Sequence, residues 1–219
     1  HAPEEVEEMA GIAAALVLNI GTLTVEMVQA MKLAARTANA KGIPVILDVC
    51  GAGATSLRDR KCFELLDEVR IDLIKGNASE VARISGAQVR TRGVDAAAVD
   101  LDLEEMARSL ARRRQATVDV TGPEDLVVDA SRRFIVNNGH PLMSRVVGTG
   151  CMAASVIGAF AAVEPDLPLA AAAGLVCFNV AAETAAALSS GPGTFKVNLF
   201  DCLDNLDEPT LAQRQRVIG

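Results

Sequence analysis

The chain has 219 residues, half of them apolar and only 3% aromatic, and its formal net charge is −7. We expect residues 1–219 to form a single α/β domain, because this length supports one sizeable core but not two. The acidic balance argues against a nucleic-acid partner or an anionic membrane surface, so an anionic ligand would need local help from backbone amides, a cation or a metal.

Five cysteines are scattered along the chain without a CxxC pair, which indicates neither a disulfide framework nor a structural zinc site. The longest apolar runs are rich in alanine and interrupted by glycine, proline or charge, as is typical of core helices rather than membrane spans. We therefore expect no membrane anchor and a reducing, cytoplasmic setting. Because the chain opens on His1 without an initiator methionine, we also expect part of its native N-terminal segment to be missing.

Strands and helices are predicted to alternate from the start of the chain. After a short acidic helix, residues 13–20 form an apolar run, which predicts a strand buried on both faces. Thr22 or Thr24 can cap the next helix, which should end near Gly42. Residues 43–48 predict a second buried strand, so the pattern is β-α-β with a right-handed crossover and a parallel sheet.

The middle of the chain continues this alternation. In order, it predicts a loop of small residues, a helix, a third strand, a short helix, a loop and an amphipathic helix. The corresponding positions are 49–55, a helix reaching Val69, 71–76, 77–86, 88–94 and 101–114.

The last part predicts a strand, a hairpin that makes one edge of the sheet antiparallel, and two buried alanine-rich helices. These elements fall at 116–121, at 126–129 with 134–137, and at about 152–163 and 167–188. Residues 146–151 predict the end of a strand followed by a turn, and residues 191–194 a sharp loop before a final segment, 195–206. The predicted fold is a mainly parallel central sheet flanked by helices.

The turn at Gly148-Thr149-Gly150-Cys151 is the first candidate site. Two glycines let the backbone turn tightly and aim successive N–H groups at one point, where they add to the positive end of the helix dipole. This predicts an anion site, with Cys151 in the first turn of the helix. A purely structural turn with a packed cysteine is the alternative that this stretch alone leaves open.

Polar residues follow the other predicted strands. They are Asp48, Lys75 with Glu80, and Thr121. In an open parallel sheet, ligands bind at the carboxyl ends of the strands beside a topological switch, so these residues should meet the Gly148 turn. Phosphoryl transfer needs phosphate donors, a divalent cation and a proton acceptor. Individually each residue could instead cap a helix or turn, or be a solvated charge.

Seven blocks, in this order, resemble the hydroxyethylthiazole kinase family over nearly the whole chain. They are NIGTL (19–23), DVCGAGAT (48–55), KGNASE (75–80), RGVD (92–95), VTG (120–122), GTGC (148–151) and GPGTF (191–195). The resemblance implies a ribokinase-like fold with helices on both faces of the sheet. It also implies ATP-dependent phosphorylation of the hydroxyl of 4-methyl-5-(2-hydroxyethyl)thiazole, a step in thiamine salvage.

The resemblance also implies a role for each candidate residue. Cys151 would be the counterpart of the proton acceptor, and the amides of Gly148, Thr149 and Gly150 would surround the transferred phosphoryl group. Gly148 would also line the substrate pocket. Lys75 and Thr121 match ATP-contacting positions, while Asp48 and Glu80 match residues grouped around Mg²⁺. The family is typically a homotrimer in which a neighbouring subunit completes the thiazole pocket.

Three features depart from the family pattern. Val49-Cys50 stands in place of the usual Pro-Val, and Lys75 stands where arginine is common, so we expect a looser loop and a weaker grip on the nucleotide. In the family a few dozen residues that carry part of the thiazole pocket precede this point, and we expect them to be missing from this sequence. The alternatives are another ribokinase-like kinase, a dehydratase acting on hydrated NAD(P)H, or a non-catalytic nucleotide-binding subunit.

Overall fold

The computed structural model describes residues 2–86 and 103–219. In these ranges one sheet contains seven strands in the order in which they occur in the chain. They are β1 (Leu16–Asn19), β2 (Val45–Asp48), β3 (Leu73–Asn77), β4 (Thr117–Thr121), β5 (Asp125–Val128), β6 (Arg133–Val136) and β7 (Val217–Ile218).

The helices lie between and after these strands. They are α1 (Val6–Ile12), α2 (Val25–Lys41), α3 (Ser56–Glu68), α4 (Ala78–Ser85), α5 (Leu103–Arg114), α6 (Thr149–Ala161), α7 (Leu167–Ala187), α8 (Pro192–Asp204) and α9 (Glu208–Arg214). The loop predicted at 88–94, the block at 92–95 and the first two residues of the helix predicted at 101–114 lie outside the described residues.

The sheet is mainly parallel, as predicted. Strands β1 to β4 are parallel to one another, and β5, β6 and β7 pair antiparallel at one edge. The expected topological switch is wrong for the described strands, because each of them pairs with its neighbours in the chain and the order never reverses. The carboxyl ends of four parallel strands nevertheless share one edge of the sheet.

Helices cover both faces of the sheet. Helices α2 to α5 bury one face, and α6 and α7 bury the other. Side chains alternate along a strand, so on β2 Leu47 packs under the first layer while Ile46 and Asp48 face the second. A charged residue at the end of this strand is therefore placed under α6.

Capping residues fix where the helices near this edge begin. The hydroxyl oxygens of Thr24 and Thr55 accept hydrogen bonds from backbone N–H groups in the first turns of α2 and α3. Of the two predicted caps for α2, Thr24 is therefore the one used. Helix α2 ends at Gly42 in the left-handed conformation, also as predicted.

Some local predictions are wrong. Residues 146–147 do not end a strand: Pro141–Arg145 form a 3-10 helix, Val146 packs against α7 and α8, and Val147 is 98% exposed. Among the described residues, Val146 and Val147 have no neighbouring strand with which to form backbone hydrogen bonds. The loop predicted at 191–194 is instead the first turn of α8, because Thr194 Oγ1 accepts hydrogen bonds from the N–H groups of Ser190 and Gly191.

The burial predicted for the first strand is also wrong. Leu16, Val17 and Asn19 of β1 are only partly buried, because β1 pairs on one side only within the described residues. The sequence of a strand at the edge of a sheet cannot be distinguished from that of a central strand when it is apolar throughout.

Helix α7 is long and apolar enough to cross a membrane by length and composition, and it is the one such helix in the described parts of the chain. Two thirds of its most apolar window, 67%, is buried inside the structure. It packs against α6, α8 and three strands of the sheet, so its apolar surface is used within the fold.

Candidate active site

The site is built where four strands and one helix meet. The parallel strands β1, β2, β3 and β4 end in Asn19, Asp48, Asn77 and Thr121, and α6 begins at the same edge of the sheet with Thr149. Because the strands are parallel, their last side chains converge.

Three charged residues form a row across the sheet under α6 and α7. Asp48, Lys75 and Asp119 are register partners on β2, β3 and β4, and each is at most 3% exposed. Lys75 Nζ lies 3.5 Å from Asp48 Oδ2. Burial raises the pKa of Asp48, although the Lys75 ammonium partly offsets this. Lys75 is thus the cation between two buried carboxyl groups.

Glu80 lies beside this row and fixes the loop after β2. Its Oε1 accepts a hydrogen bond from the N–H of Gly51 at 2.7 Å, and its Oε2 accepts one from the N–H of Asn77 at 2.8 Å. The second bond is half of a capping box at the start of α4. Glu80 is close enough to Asp48 for its charge to raise the pKa of Asp48.

The turn before α6 lies directly over Lys75. Gly148 has a φ of +100°, which a residue with a side chain rarely adopts. A Cβ atom added to Gly150 would lie 3.4 Å from Lys75 Nζ. The Thr149 hydroxyl donates within the turn, to the carbonyl oxygens of Met143 or Val146. The backbone of the α6 N-terminus and the Lys75 ammonium therefore face the same space.

Cys151 joins this cluster through two neighbours. Asn19 Nδ2 donates a hydrogen bond to Cys151 Sγ at 3.2 Å. Cys50 lies in the loop after β2, close enough to Cys151 for that thiol to help raise the pKa of Cys50. Burial, followed by the nearby charge of Asp48, raises the pKa of Cys50 to about 11. The proton acceptor implied by the resemblance thus lies beside Asn19, the last residue of β1.

Thr121 is farther along the same edge. Its hydroxyl donates to the carbonyl oxygen of Gly76 at 3.4 Å, and it pairs in register with Asn77. Among the described residues, Thr121 has no hydrogen bond to Lys75 or to the α6 turn.

A family model for the hydroxyethylthiazole kinase family matches residues 1–209. The chain belongs to the hydroxyethylthiazole kinase family. A hydroxyethylthiazole kinase from Methanosarcina mazei is 48% identical over 217 residues, covering 99% of this chain and 83% of the relative. One from Methanosarcina acetivorans is 50% identical over 208 residues, covering 95% of this chain and 80% of the relative.

Solved structures place the chain in the same family and fold. A hydroxyethylthiazole kinase protein from Pyrococcus horikoshii superposes with a TM-score of 0.90 at 39% identity, covering 100% of this chain and 82% of that one. A ribokinase-like superfamily protein from Enterococcus faecalis gives a TM-score of 0.64 at 16% identity, covering 91% of this chain and 66% of that one. The fold is therefore ribokinase-like, and the family makes the chain a kinase.

Few side chains at the site could coordinate a divalent cation. Among the described residues, no group of three or more histidine, cysteine, aspartate or glutamate side chains is arranged to hold a metal ion. Asp48 Oδ2 is nevertheless buried without a hydrogen-bond partner, and Glu80 is its acidic neighbour. Two carboxylates suit Mg²⁺ that keeps several waters and shares substrate phosphates, as kinases use it, rather than an ion caged by protein.

Sequence reasoning missed four residues of the site. Asn19 hydrogen-bonds to Cys151, Cys50 lies near Cys151 in the loop after β2, and Asp119 extends the row of buried ionisable residues. Arg58 donates to the carbonyl oxygens of Ile20 and Gly21 and so holds the loop after β1. Asn19 could have been found, because a polar residue at the end of an apolar strand is the same signal that identified Asp48. Asp119 lies in the middle of β4 and does not carry this signal.

Proposed function

We propose that this chain transfers the terminal phosphoryl group of ATP to the hydroxyl group of hydroxyethylthiazole. One observation carries the proposal: in a member of this kinase family, a buried lysine, two acids and a cysteine converge on the start of a glycine-opened helix. These are the parts that phosphoryl transfer requires.

Lys75 and the first amides of α6 would hold the terminal phosphate. The ammonium lies between Asp48 and the backbone of Gly150, so a phosphate entering there offers it a second anion. Backbone N–H groups at a helix N-terminus add donors already fixed in direction. This arrangement needs little rearrangement when charge develops on the transferred group.

Asp48 and Glu80 would hold Mg²⁺. Asp48 Oδ2 supports this assignment: it is buried, accepts no hydrogen bond and has only the ion pair with Lys75 at 3.5 Å, so it has acceptor capacity left for a ligand. When bound, the ion spreads the charge of the phosphates. Glu80 also keeps the loop at Gly51 in place through its hydrogen bond, so it has a positioning role as well.

Cys151, or a water beside it, would take the proton of the thiazole hydroxyl. A loose phosphoryl-transfer transition state places little demand on a base, so positioning and charge neutralisation should contribute more than this proton transfer. Cys151→Ala should therefore retain measurable turnover, whereas Asp48→Ala combined with Glu80→Ala should abolish it. Equal losses of turnover in the two variants would show that proton transfer to Cys151 matters as much as charge neutralisation by the metal-side acids.

The test of the function is ATP consumption that depends on added thiazole alcohol. Three matched reactions replace it with hydroxymethylpyrimidine, with hydrated NADH, or with no acceptor. Turnover with the thiazole alcohol alone supports the proposal. Turnover with either other compound favours another ribokinase-like activity, and nucleotide binding without turnover favours a non-catalytic subunit.

We also propose that the chain acts as a homotrimer with active sites at subunit interfaces. Support comes from the family resemblance and from apolar side chains exposed on α1 and α2, where Met9, Ile12 and Val25 are each at least 51% exposed. Light scattering after size exclusion should give three times the chain mass of 22.9 kDa. A mass of one chain at micromolar concentration would contradict this.

A further inference from the structure

The side chain of Asn19 has one defined orientation between two partners. Its Oδ1 accepts a hydrogen bond from the N–H of Gly21 at 2.8 Å, and its Nδ2 donates one to Cys151 Sγ at 3.2 Å. An amide nitrogen carries two hydrogens and cannot accept the Gly21 N–H, so the reverse orientation would bring two donors together. Asn19 therefore presents a donor to the sulfur atom of Cys151.

Arg58, on α3, holds the backbone on which this orientation depends. Its Nη1 donates to the carbonyl oxygen of Ile20 at 2.5 Å, and its Nη2 donates to that of Gly21 at 2.8 Å. The Ile20 carbonyl and the Gly21 N–H belong to the same planar peptide group and point in opposite directions. By holding this carbonyl on one side, Arg58 aims the N–H at Asn19 on the other.

The guanidinium group of Arg58 is used entirely on the backbone. Within the described parts of the chain it forms no ion pair, and its third hydrogen bond goes to the carbonyl oxygen of Cys50 at 3.5 Å. The next residue, Asp59, pairs instead with Arg83. A planar guanidinium reaches several carbonyl oxygens in fixed directions, which the single ammonium of a lysine cannot do.

The loop after β1 leaves Asn19 little room to turn. A Cβ atom on Gly21 would lie 2.8 Å from Asn19 Oδ1 and 3.3 Å from Cys50 Sγ. The backbone of Gly21 is thus packed directly against the amide that it orients.

We propose that Arg58 and Asn19 are positioning residues that act in series on Cys151. Arg58 fixes the peptide group between Ile20 and Gly21, this peptide group orients the Asn19 amide, and Asn19 directs an N–H donor at the sulfur atom. A donor to sulfur favours the thiolate form, so the sulfur meets the substrate hydroxyl as a proton acceptor. The consequence for phosphoryl transfer rests on the proposed function, whereas the consequence for the reactivity of Cys151 does not.

Alkylation by iodoacetamide measures this effect without a kinase assay, because the thiolate is the reactive form. In whole protein carrying Cys177→Ser, Cys151 is the one cysteine of the tryptic peptide 146–196, and mass spectrometry follows its labelling with time. The rate at pH 7 is divided by the rate on the plateau reached at high pH, so that changes in access to the sulfur cancel.

Two Asn19 variants remove the donor in different ways. Asn19→Asp keeps an acceptor for the Gly21 N–H but turns an oxygen toward the sulfur, and Asn19→Leu removes both hydrogen bonds. Both should lower the ratio of rates about fivefold or more, because a hydrogen bond to a charged group is stronger than one to a neutral group. An unchanged ratio in both variants would overturn the proposal.

Arg58 variants test whether the two residues act in series. Arg58→Met should lower the ratio about twofold or more, Arg58→Lys should lower it less, and Arg58→Met added to Asn19→Leu should cause no further loss. Arg60→Met is the matched control, because Arg60 lies on the same helix, is exposed and makes no side-chain hydrogen bond or ion pair among the described residues. A further loss in the double variant would refute the serial arrangement.

Cys62 reports on folding in the same samples. It is fully buried in α3, so its peptide, 62–70, should stay unlabelled in every variant that remains folded. A variant in which Cys62 is labelled rapidly is replaced by the milder Asn19→Ser or Arg58→Lys, for which the same directions are expected.

The kinase assay tests the consequence for turnover. Asn19→Asp should lower kcat about threefold with little change in the KM for ATP, and it should not lower kcat further in a Cys151→Ala background. An additional loss in that background would show that Asn19 does not act through Cys151. If the parent protein has no thiazole kinase activity, the proposed function fails, and the alkylation ratios still decide whether Asn19 and Arg58 control Cys151.

Discussion

Lys75 links the two sides of the site, Asp48 on β2 and the turn before α6. It is 3% exposed, pairs with Asp48 at 3.5 Å and lies under the backbone of Gly150. A buried carboxylate that loses its cation strongly destabilises the protein, so Lys75 contributes both to the stability of the fold and to binding of the ligand.

Lys75→Met should raise the KM for ATP and lower the free energy of unfolding by about 3 kcal/mol, because Asp48 would be left buried without a cation. Lys75→Arg should restore most of the affinity, since a guanidinium keeps the charge and adds donors. Steady-state kinetics and urea unfolding check both expectations. If Lys75→Met binds ATP as well as the parent, Lys75 does not contact the nucleotide.

Asp119 supplies a prediction about pH. It is fully buried, neither carboxyl oxygen has a hydrogen-bond partner, and burial raises its pKa well above the ordinary value of 3.8. The folded protein therefore keeps this proton after the unfolded chain has released it. Stability contributed by the neutral form is present below about pH 4 and is lost as the pH rises through the folded pKa.

Asp119→Asn removes this titration with little change in shape, and Asp119→Ala removes it without leaving a buried amide. Both should flatten the decline of stability that begins above about pH 4, with a gain at the alkaline end of roughly 1–3 kcal/mol. Urea unfolding at each pH measures this. Profiles that stay parallel to that of the parent would contradict the assignment.

At the scale of elements, α6 reaches the site because it lies unusually close to β1. A Cβ atom on Gly158 would be 2.5 Å from Val17 Cγ2, so only glycine permits this approach. Since α6 also carries Cys151, the packing of the helix body determines the placement of its first turn.

Gly158→Ala should therefore destabilise the protein by about 1–3 kcal/mol and lower kcat, because α6 must move away from β1. Adding Val17→Ala should recover part of both losses, and the double-mutant cycle gives the coupling energy. Gly193→Ala is the matched control, because no atom lies near its Cβ position. Additive effects of the two substitutions would show that this contact does not position the helix.

The elements also show what the sequence can predict. Apolar runs identified β1 to β6, and capping residues such as Thr24 and Asn77 identified helix starts, because these signals are local. Strand β7, only Val217–Ile218, has too short a pattern to stand out.

The candidate site was predictable only in part. Asp48, Lys75 and Glu80 were found from their positions at or after the predicted strands, while the contact of Cys151 with Asn19 depends on how distant segments pack. Even the resemblance could not supply Cys50, which departs from the family pattern.

At the scale of the whole molecule, an acidic protein must bind a polyanion. The net charge is −7, and the carboxylates of Asp48 and Glu80, which are part of that count, lie at the site itself. Lys75 and the helix N-terminus attract the nucleotide phosphates locally, but the net negative charge of the protein opposes this attraction.

ATP with Mg²⁺ should consequently raise the melting temperature more than the same ATP in EDTA, since a ligand stabilises the folded state in proportion to its affinity. Differential scanning fluorimetry measures the two shifts. Asp48→Asn with Glu80→Gln should make them more alike, while Asp67→Asn, on the far end of α3, should not. Equal shifts in the parent protein would contradict a role for the cation in nucleotide binding.

The sequential strand order bears on how the protein is made. Each of β2 to β6 pairs with the strand before it in the chain, so the sheet can grow from β1 onward as the chain leaves the ribosome. The hydrogen bond from Asn19 to Cys151, in contrast, joins residues 132 positions apart. Most of the sheet can therefore form before the residues of the active site meet, and enzymatic turnover reports that synthesis of the chain is complete.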